Sequence, residues 1–176
     1  MEQLLQQIIN GISLGSIYAL IALGYTMVYG IIKLINFAHC DVYMLGAYIG
    51  YFCMTTFNLG FLPSILIAMA ICTLVGVLIE KIAYRPLRNA ARIAVLITAI
   101  GVSLLLEYGT MAFVKAKVRT YPEMTGLMAE SFRFGDIIIT MQQIIIVATT
   151  VILMILLQFI VKRTKVGKAM RAVSLD

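Results

Sequence analysis

Apolar residues run through this chain in five long stretches, separated by short polar or basic segments. They lie at about Ile8 to Ile32, Phe37 to Phe57, Phe61 to Ala83, Ile93 to Val114 and Ile137 to Val161. Crossing the roughly 30 Å hydrocarbon core of a bilayer takes about 20 apolar residues in helical form, at about 1.5 Å per residue. Each stretch has that length. Backbone groups in lipid must be satisfied within their own segment, so the stretches are expected to be helices. The three prolines agree: Pro63 opens the third stretch, where a missing N–H costs nothing, and Pro86 and Pro122 fall in connections. The pattern predicts an all-α fold, a polytopic transmembrane helix bundle of about five spanning helices. It covers residues 1–161, with a short cytoplasmic segment over 162–176.

Composition strengthens this picture. Hydrophobic residues make up 62%, charged residues only 12%, and mean hydropathy is +1.00. A soluble domain of this size needs about twice that supply of charge for its surface. The formal charge of +6 does not point to nucleic acid, because the cations sit between apolar runs rather than on one basic face. Cys40, Cys53 and Cys72 are odd in number and lack metal-ligand spacing, so they read as small packing residues. The start of the chain lacks the basic segment of a cleavable signal peptide.

The cations divide unequally between the two ends of the spans. Lys33, Lys81, Arg85, Arg88, Arg92, Lys162, Arg163, Lys165, Lys168 and Arg171 fall on one side. Lys115, Lys117, Arg119 and Arg133 fall on the other, a division of ten to four. The positive-inside rule then predicts an N-terminus outside and a cytoplasmic C-terminal tail. Small residues recur at four-residue spacing as Gly11, Gly15 and Ala19 in the first span and as Gly46 and Gly50 in the second. Such stripes let helix backbones approach in lipid and are expected to mark packing interfaces.

Polar groups inside spans are the candidates for function, because they are costly there. Asn36, His39 and Asp41 crowd the predicted cytoplasmic end of the second span. Asn36 fits an N-cap, and Asp41 fits the positive end of the helix dipole. The other reading is a pathway or gate: Asn36, His39, Tyr43, Gly46 and Gly50 step by three or four and share one helical stripe. Asp41 then points elsewhere, toward Lys33 or the loop holding Arg85. Glu107 stands in the outer half of the fourth span with Ser103 and Thr110 on its face. It is either a functional carboxylate or one that snorkels or pairs with Lys115.

Known catalytic patterns are missing. The sequence has no phosphate-binding Gly-rich loop, no Ser-His-Asp set and no H-E-x-x-H pair, and a lone His is a weak metal signal. The chain is therefore not expected to be an enzyme, to bind a metal or to hold a cofactor. Its tail is basic and amphipathic, which suits either a membrane-surface helix on anionic lipid or a docking helix for a cytoplasmic partner.

Three stretches carry a resemblance. Gly11-Ile12-Ser13-Leu14-Gly15-Ser16-Ile17-Tyr18-Ala19-Leu20 with Gly24 and Tyr29-Gly30, then Asn36-Phe37-Ala38-His39, then Tyr84-Arg85-Pro86-Leu87-Arg88 resemble the permease family of branched-chain amino-acid ATP-binding-cassette importers. Thr164 to Val173 is similar to that family's cytoplasmic coupling loop, which implies docking on an ATPase through Gly167, Lys168, Met170 and Arg171. The resemblance implies a second permease subunit, cytoplasmic ATP-binding subunits that use the ATP, an extracytoplasmic solute-binding protein, and a bacterial inner membrane. Branched-chain amino acids are the implied cargo, with urea or short amides carried by relatives. Two departures stand out: Cys40 replaces the family's usual Gly, and the chain stops at Asp176 within the coupling loop, as a fragment or truncated product would. The alternative function is a self-sufficient secondary carrier or channel using Glu107 and Asp41. A structural membrane partner that conducts nothing is a third.

Overall fold

A computed structural model describes residues 2–32, 36–87, 90–115, 117–122, 130–134 and 137–175. The helices are α1 (Glu2–Ile32), α2 (His39–Thr55), α3 (Phe61–Ile79), α4 (Arg92–Val114), α5 (Met141–Arg163) and α6 (Lys165–Leu175). Two short strands, β1 (Ser131–Phe134) and β2 (Ile137–Thr140), precede α5. Lys33, Arg88, Glu123 and Asp136 lie outside the described residues. The chain divides into two compact units, Met1–Lys33 with Glu123–Asp176, and Leu34–Pro122.

Among the described residues, four helical segments are long and apolar enough to cross a membrane: Gln3–Gly30, Phe61–Leu87, Ile93–Val114 and Met141–Arg163. The sequence predicted about five. The remaining stretch forms α2, whose 17 residues reach only about 25 Å at 1.5 Å each. The distribution of side chains is that of a protein in lipid. Leu105 and Phe159 are 71% and 62% exposed, whereas the buried hydrophobic residues among those described are Ala38, Cys53, Val95 and Ala99. Large apolar faces turned outward need a non-aqueous neighbour.

In the first unit α1 packs against α5, and α6 packs against both. The α1–α5 contact runs through hydroxyls: Ser13 and Thr150 are buried, and Thr150 Oγ1 donates to the Ile146 carbonyl (2.7 Å) and the Ser16 carbonyl (3.5 Å). Gly11 and Gly15, predicted as packing positions, have open space where a Cβ would stand, and Ala19 is half-buried. The helix α5 lies on the serine face instead, where short hydroxyls allow approach and bond to backbone carbonyls.

The fifth span begins later than predicted. Ile137 to Thr140 pairs antiparallel with β1 in the register Ser131↔Thr140, Phe132↔Ile139, Arg133↔Ile138 and Phe134↔Ile137. Three successive isoleucines are stiff at χ1 and favour a pleated strand over a first helical turn. Thr140 then starts α5 with a capping box, its hydroxyl accepting from the Gln143 N–H (3.3 Å) while the Gln143 side chain accepts from the Thr140 N–H (3.1 Å). From α1, Gln6 reaches the strand: its Nε2 donates to the Ile138 carbonyl (3.0 Å) and its Oε1 accepts the Ile138 N–H (2.8 Å). Asn10 Oδ1 accepts from both Gln6 (3.2 Å) and Gln143 (2.9 Å), tying α1, β2 and α5 into one amide cluster.

A tight corner joins α5 to α6. Thr164 Oγ1 donates to the Ile160 carbonyl (2.6 Å) and accepts the Gly167 N–H (3.1 Å), so it caps the new helix. Gly167 is buried, and a Cβ there would run into the carbonyl oxygens of Val161 and Ile160.

Candidate functional site

The second unit gathers the polar residues that the sequence singled out. In it α2 packs against α3 and α4. Its first turn does not lie level with the ends of those helices. Asp41 accepts a short hydrogen bond from the Ser103 hydroxyl, and Ser103 lies midway along α4. Beside it, Cys72, well inside α3, donates its thiol to the Val42 carbonyl at 3.5 Å. The helix α2 therefore starts level with the middle of its neighbours, and the predicted position of Asp41 at the cytoplasmic end of a full span is corrected. A helix that begins part-way along its neighbours brings its first-turn polar groups to the depth where transport proteins hold their ligands.

Asn36 leads into this helix, but not as its cap. The N-cap residue is Ala38, without a side-chain hydrogen bond. Asn36 Oδ1 instead accepts from the Tyr84 hydroxyl at 2.7 Å. Tyr84 closes a π-helical turn, Glu80–Tyr84, that extends α3 into the 3-10 turn Arg85–Leu87. Local widening of this kind re-aims side chains and recurs at functional sites.

The faces of α2 divide differently from the sequence reading. Gly46 sits against α3, where an added Cβ would stand 3.0 Å from Cys72 Sγ. Gly50 is buried beneath Tyr121, whose hydroxyl would lie 3.0 Å from such a Cβ. These two positions of the proposed pathway stripe are packing contacts, while His39 is half-buried and Tyr43 is exposed. Asp41 occupies the face turned toward α4. It meets Ser103 rather than the Arg85 loop, and Lys33 lies outside the described residues.

From Asp41 toward the C-terminal end of α2 the same face runs through Leu45, Tyr48 and Phe52. From α4, Leu106, Thr110 and Val114 continue the line of Ser103. Between them lies an apolar cleft of about 350 Å³, open on the side of Leu105 and Phe113, which are 71% and 91% exposed. Thr110 turns its hydroxyl back to the Leu106 carbonyl (2.7 Å), which leaves the cleft wall apolar. Glu107 is exposed and makes no hydrogen bond or ion pair among the described residues, so of its alternative readings the pairing with Lys115 is not formed.

A second cavity of about 290 Å³ lies on the adjoining face of α2, lined by Met44, Tyr48, Tyr51, Arg119 and Tyr121 among others. The Tyr121 hydroxyl donates to the Ala47 carbonyl at 2.6 Å, and the Arg119 guanidinium stacks on Tyr51 (5.6 Å) and Phe52 (5.4 Å). Burial, reinforced by Tyr43 and partly offset by a backbone contact at Tyr51, raises the Tyr121 phenol above its ordinary value, so it stays a neutral donor. Sequence reasoning passed over Tyr121, placed Ser103 only beside Glu107, and counted Arg119 only as a cation of the outer side. Tyr84 lay within a stretch noted only for resemblance, and the partners of the others are distant in sequence.

Of the four predicted coupling residues, Gly167 is buried in the α5–α6 corner, Lys168 is exposed and Met170 is half-buried. Arg171 belongs to α6, and its side chain is outside the described part. Among the described side chains of α6, Lys165, Lys168, Ala169 and Ala172 are exposed. Among the described residues, no group of His, Cys, Asp or Glu is placed to hold a metal ion.

Outward apolar helices and polar groups held between helices define this as a polytopic α-helical membrane protein. Residues 7–176 match the family described as the permease component of the branched-chain amino acid transport system, and the chain belongs to that family. It is 41% identical over 98% of its length to the high-affinity branched-chain amino acid transport system permease protein BraD of Pseudomonas aeruginosa. It is 38% identical, again over 98%, to the corresponding LivH proteins of Salmonella typhimurium and Escherichia coli. The chain spans 59% of the length of each of these relatives. No solved structure matches it.

Proposed function

We propose that this chain is a membrane-spanning permease subunit of an ATP-binding-cassette importer that carries branched-chain amino acids into the cytoplasm. The observation that carries this reading is the match to a branched-chain amino acid permease family over residues 7–176. The chain works beside a second permease subunit, with ATP hydrolysed on separate cytoplasmic subunits and solute delivered by an extracytoplasmic binding protein. The ten-to-four division of cations supports an N-terminus outside and α6 inside a bacterial inner membrane. The exposed Lys165 and Lys168 of α6 then face the ATPase or anionic lipid.

Uptake of labelled leucine, isoleucine and valine into vesicles holding the assembled system tests this. Uptake is expected only with ATP inside and binding protein outside. Accumulation that follows an ion gradient without ATP overturns the reading in favour of a secondary carrier.

A further inference from the structure

We propose that Asp41 and Ser103, together with the apolar cleft that begins one helical turn beyond them between α2 and α4, form a station for an aliphatic amino acid. Asp41 receives the α-ammonium group and the cleft receives the branched side chain. This rests on the reading of the chain as an amino-acid permease and assigns that reading to particular side chains.

The chemistry of Asp41 is the starting point. A carboxylate offers about four acceptor positions. Among the described residues its one hydrogen-bond partner is the Ser103 hydroxyl, and it forms no ion pair with a cation. An anion placed part-way along a helix bundle in lipid is costly, and it is retained where a positive group comes to meet it. Ser103 supplies orientation without neutralising charge: one donated hydrogen bond fixes the carboxylate and leaves its other oxygen for an ammonium group.

The surroundings supply the second half of the ligand. Leu45, Tyr48 and Phe52 follow Asp41 by four, seven and eleven residues, so they continue its stripe on α2. Leu106, Thr110 and Val114 follow Ser103 on α4 in the same direction. The lining of the cleft between them, about 350 Å³, starts at Leu45 and Leu106, one helical turn beyond Asp41 and Ser103. A single carboxylate one helical turn from an open apolar cleft of this size suits a small molecule with a cationic head and an aliphatic tail. A free carboxylate ligand is disfavoured, because it would meet Asp41 as a like charge.

Equilibrium binding of labelled leucine to the purified transport complex, without its solute-binding protein, tests the station. Isoamylamine, which keeps the ammonium and the branched tail, is expected to compete, and isocaproate, which keeps the tail and carboxylate, is not. Asp41→Asn is expected to weaken leucine binding by about tenfold or more, whereas Asp41→Glu retains most of it. Leu106→Phe, which fills the cleft, is expected to weaken leucine far more than glycine. Equal competition by isocaproate and isoamylamine overturns the proposal, and so does an Asp41→Asn complex that binds leucine within about twofold of the parent. The competition arm uses the unsubstituted complex and so stands even where a variant fails to assemble. If the unsubstituted complex imports leucine with ATP but fails these tests, the station alone is wrong. If it does not import leucine at all, the permease reading falls with it.

Discussion

The Tyr84 hydroxyl donates a 2.7 Å hydrogen bond to Asn36 Oδ1, joining the end of α3 to the segment that leads into α2 across 48 residues of chain. The bond makes Asn36 an acceptor for a distant phenol instead of a cap for its own helix, and this fixes what its substitutions should do. Asn36→Asp keeps the acceptor and should leave the unfolding midpoint of the detergent-solubilised protein nearly unchanged. Asn36→Leu leaves the half-buried phenol without its partner and should cost about 1–3 kcal/mol. Tyr84→Phe removes only the donor and should cost about 0.5–1.5 kcal/mol. Equal losses for Asn36→Asp and Asn36→Leu would contradict the assignment.

Gly167→Ala is the smallest change that challenges the α5–α6 corner. The new methyl meets the Val161 and Ile160 carbonyl oxygens, so α6 must move away. Overpacking of this kind costs about 1–3 kcal/mol locally. Trypsin should then cut faster at Lys165 and Lys168 while the melting of the spanning helices stays in place. Unchanged cleavage would show that the corner absorbs a side chain.

The amide cluster at the start of α5 predicts a local effect on exchange. Gln6→Leu removes both bonds to Ile138, and the amide hydrogen of Ile138 should exchange about five- to tenfold faster, matching roughly 1 kcal/mol of lost protection. Thr140→Ala should remove about 0.5–2 kcal/mol by opening the capping box. Protection at Ile138 that survives Gln6→Leu would assign the bond to the strand pairing instead.

Orientation can be read with single cysteines in a background lacking Cys40, Cys53 and Cys72. Val118 is 99% exposed. A cysteine there should react from outside intact cells with a membrane-impermeant thiol reagent, and one at Lys168 should react only after permeabilisation. The opposite pattern would reverse the topology drawn from the cations.

The helical architecture was legible because lipid imposes a single rule on every span: a long apolar run with its ends marked by charge. Where tertiary contact decided the outcome, periodicity was insufficient. Asn36, His39, Tyr43, Gly46 and Gly50 do lie on one stripe, but spacing does not tell an open face from a covered one. The glycines on it admit Cys72 and Tyr121, and the cleft lies on the Asp41 face. The partner of Asp41 is 62 residues away in sequence, beyond any local signal. The hairpin, by contrast, left a readable trace. Ser131-Phe-Arg-Phe, then Gly135-Asp136, then Ile137-Ile-Ile-Thr has the form of two strands about a two-residue turn. The isoleucines were absorbed into the fifth span because they are equally apolar in lipid. Thr140 and Gln143 carried a helix start three residues further on.

Gln6 has one more effect on the hairpin it holds. A strand with a free side presents an N–H and a C=O to any extended chain that passes, and such edges invite sheet growth between molecules. At Ile138 both groups are already taken by a single side-chain amide, which imitates the main chain of a neighbouring strand. Because that amide belongs to α1, the hairpin is terminated by its own molecule at this position. A protein that approaches β2 here finds no template to extend and must bind through side chains.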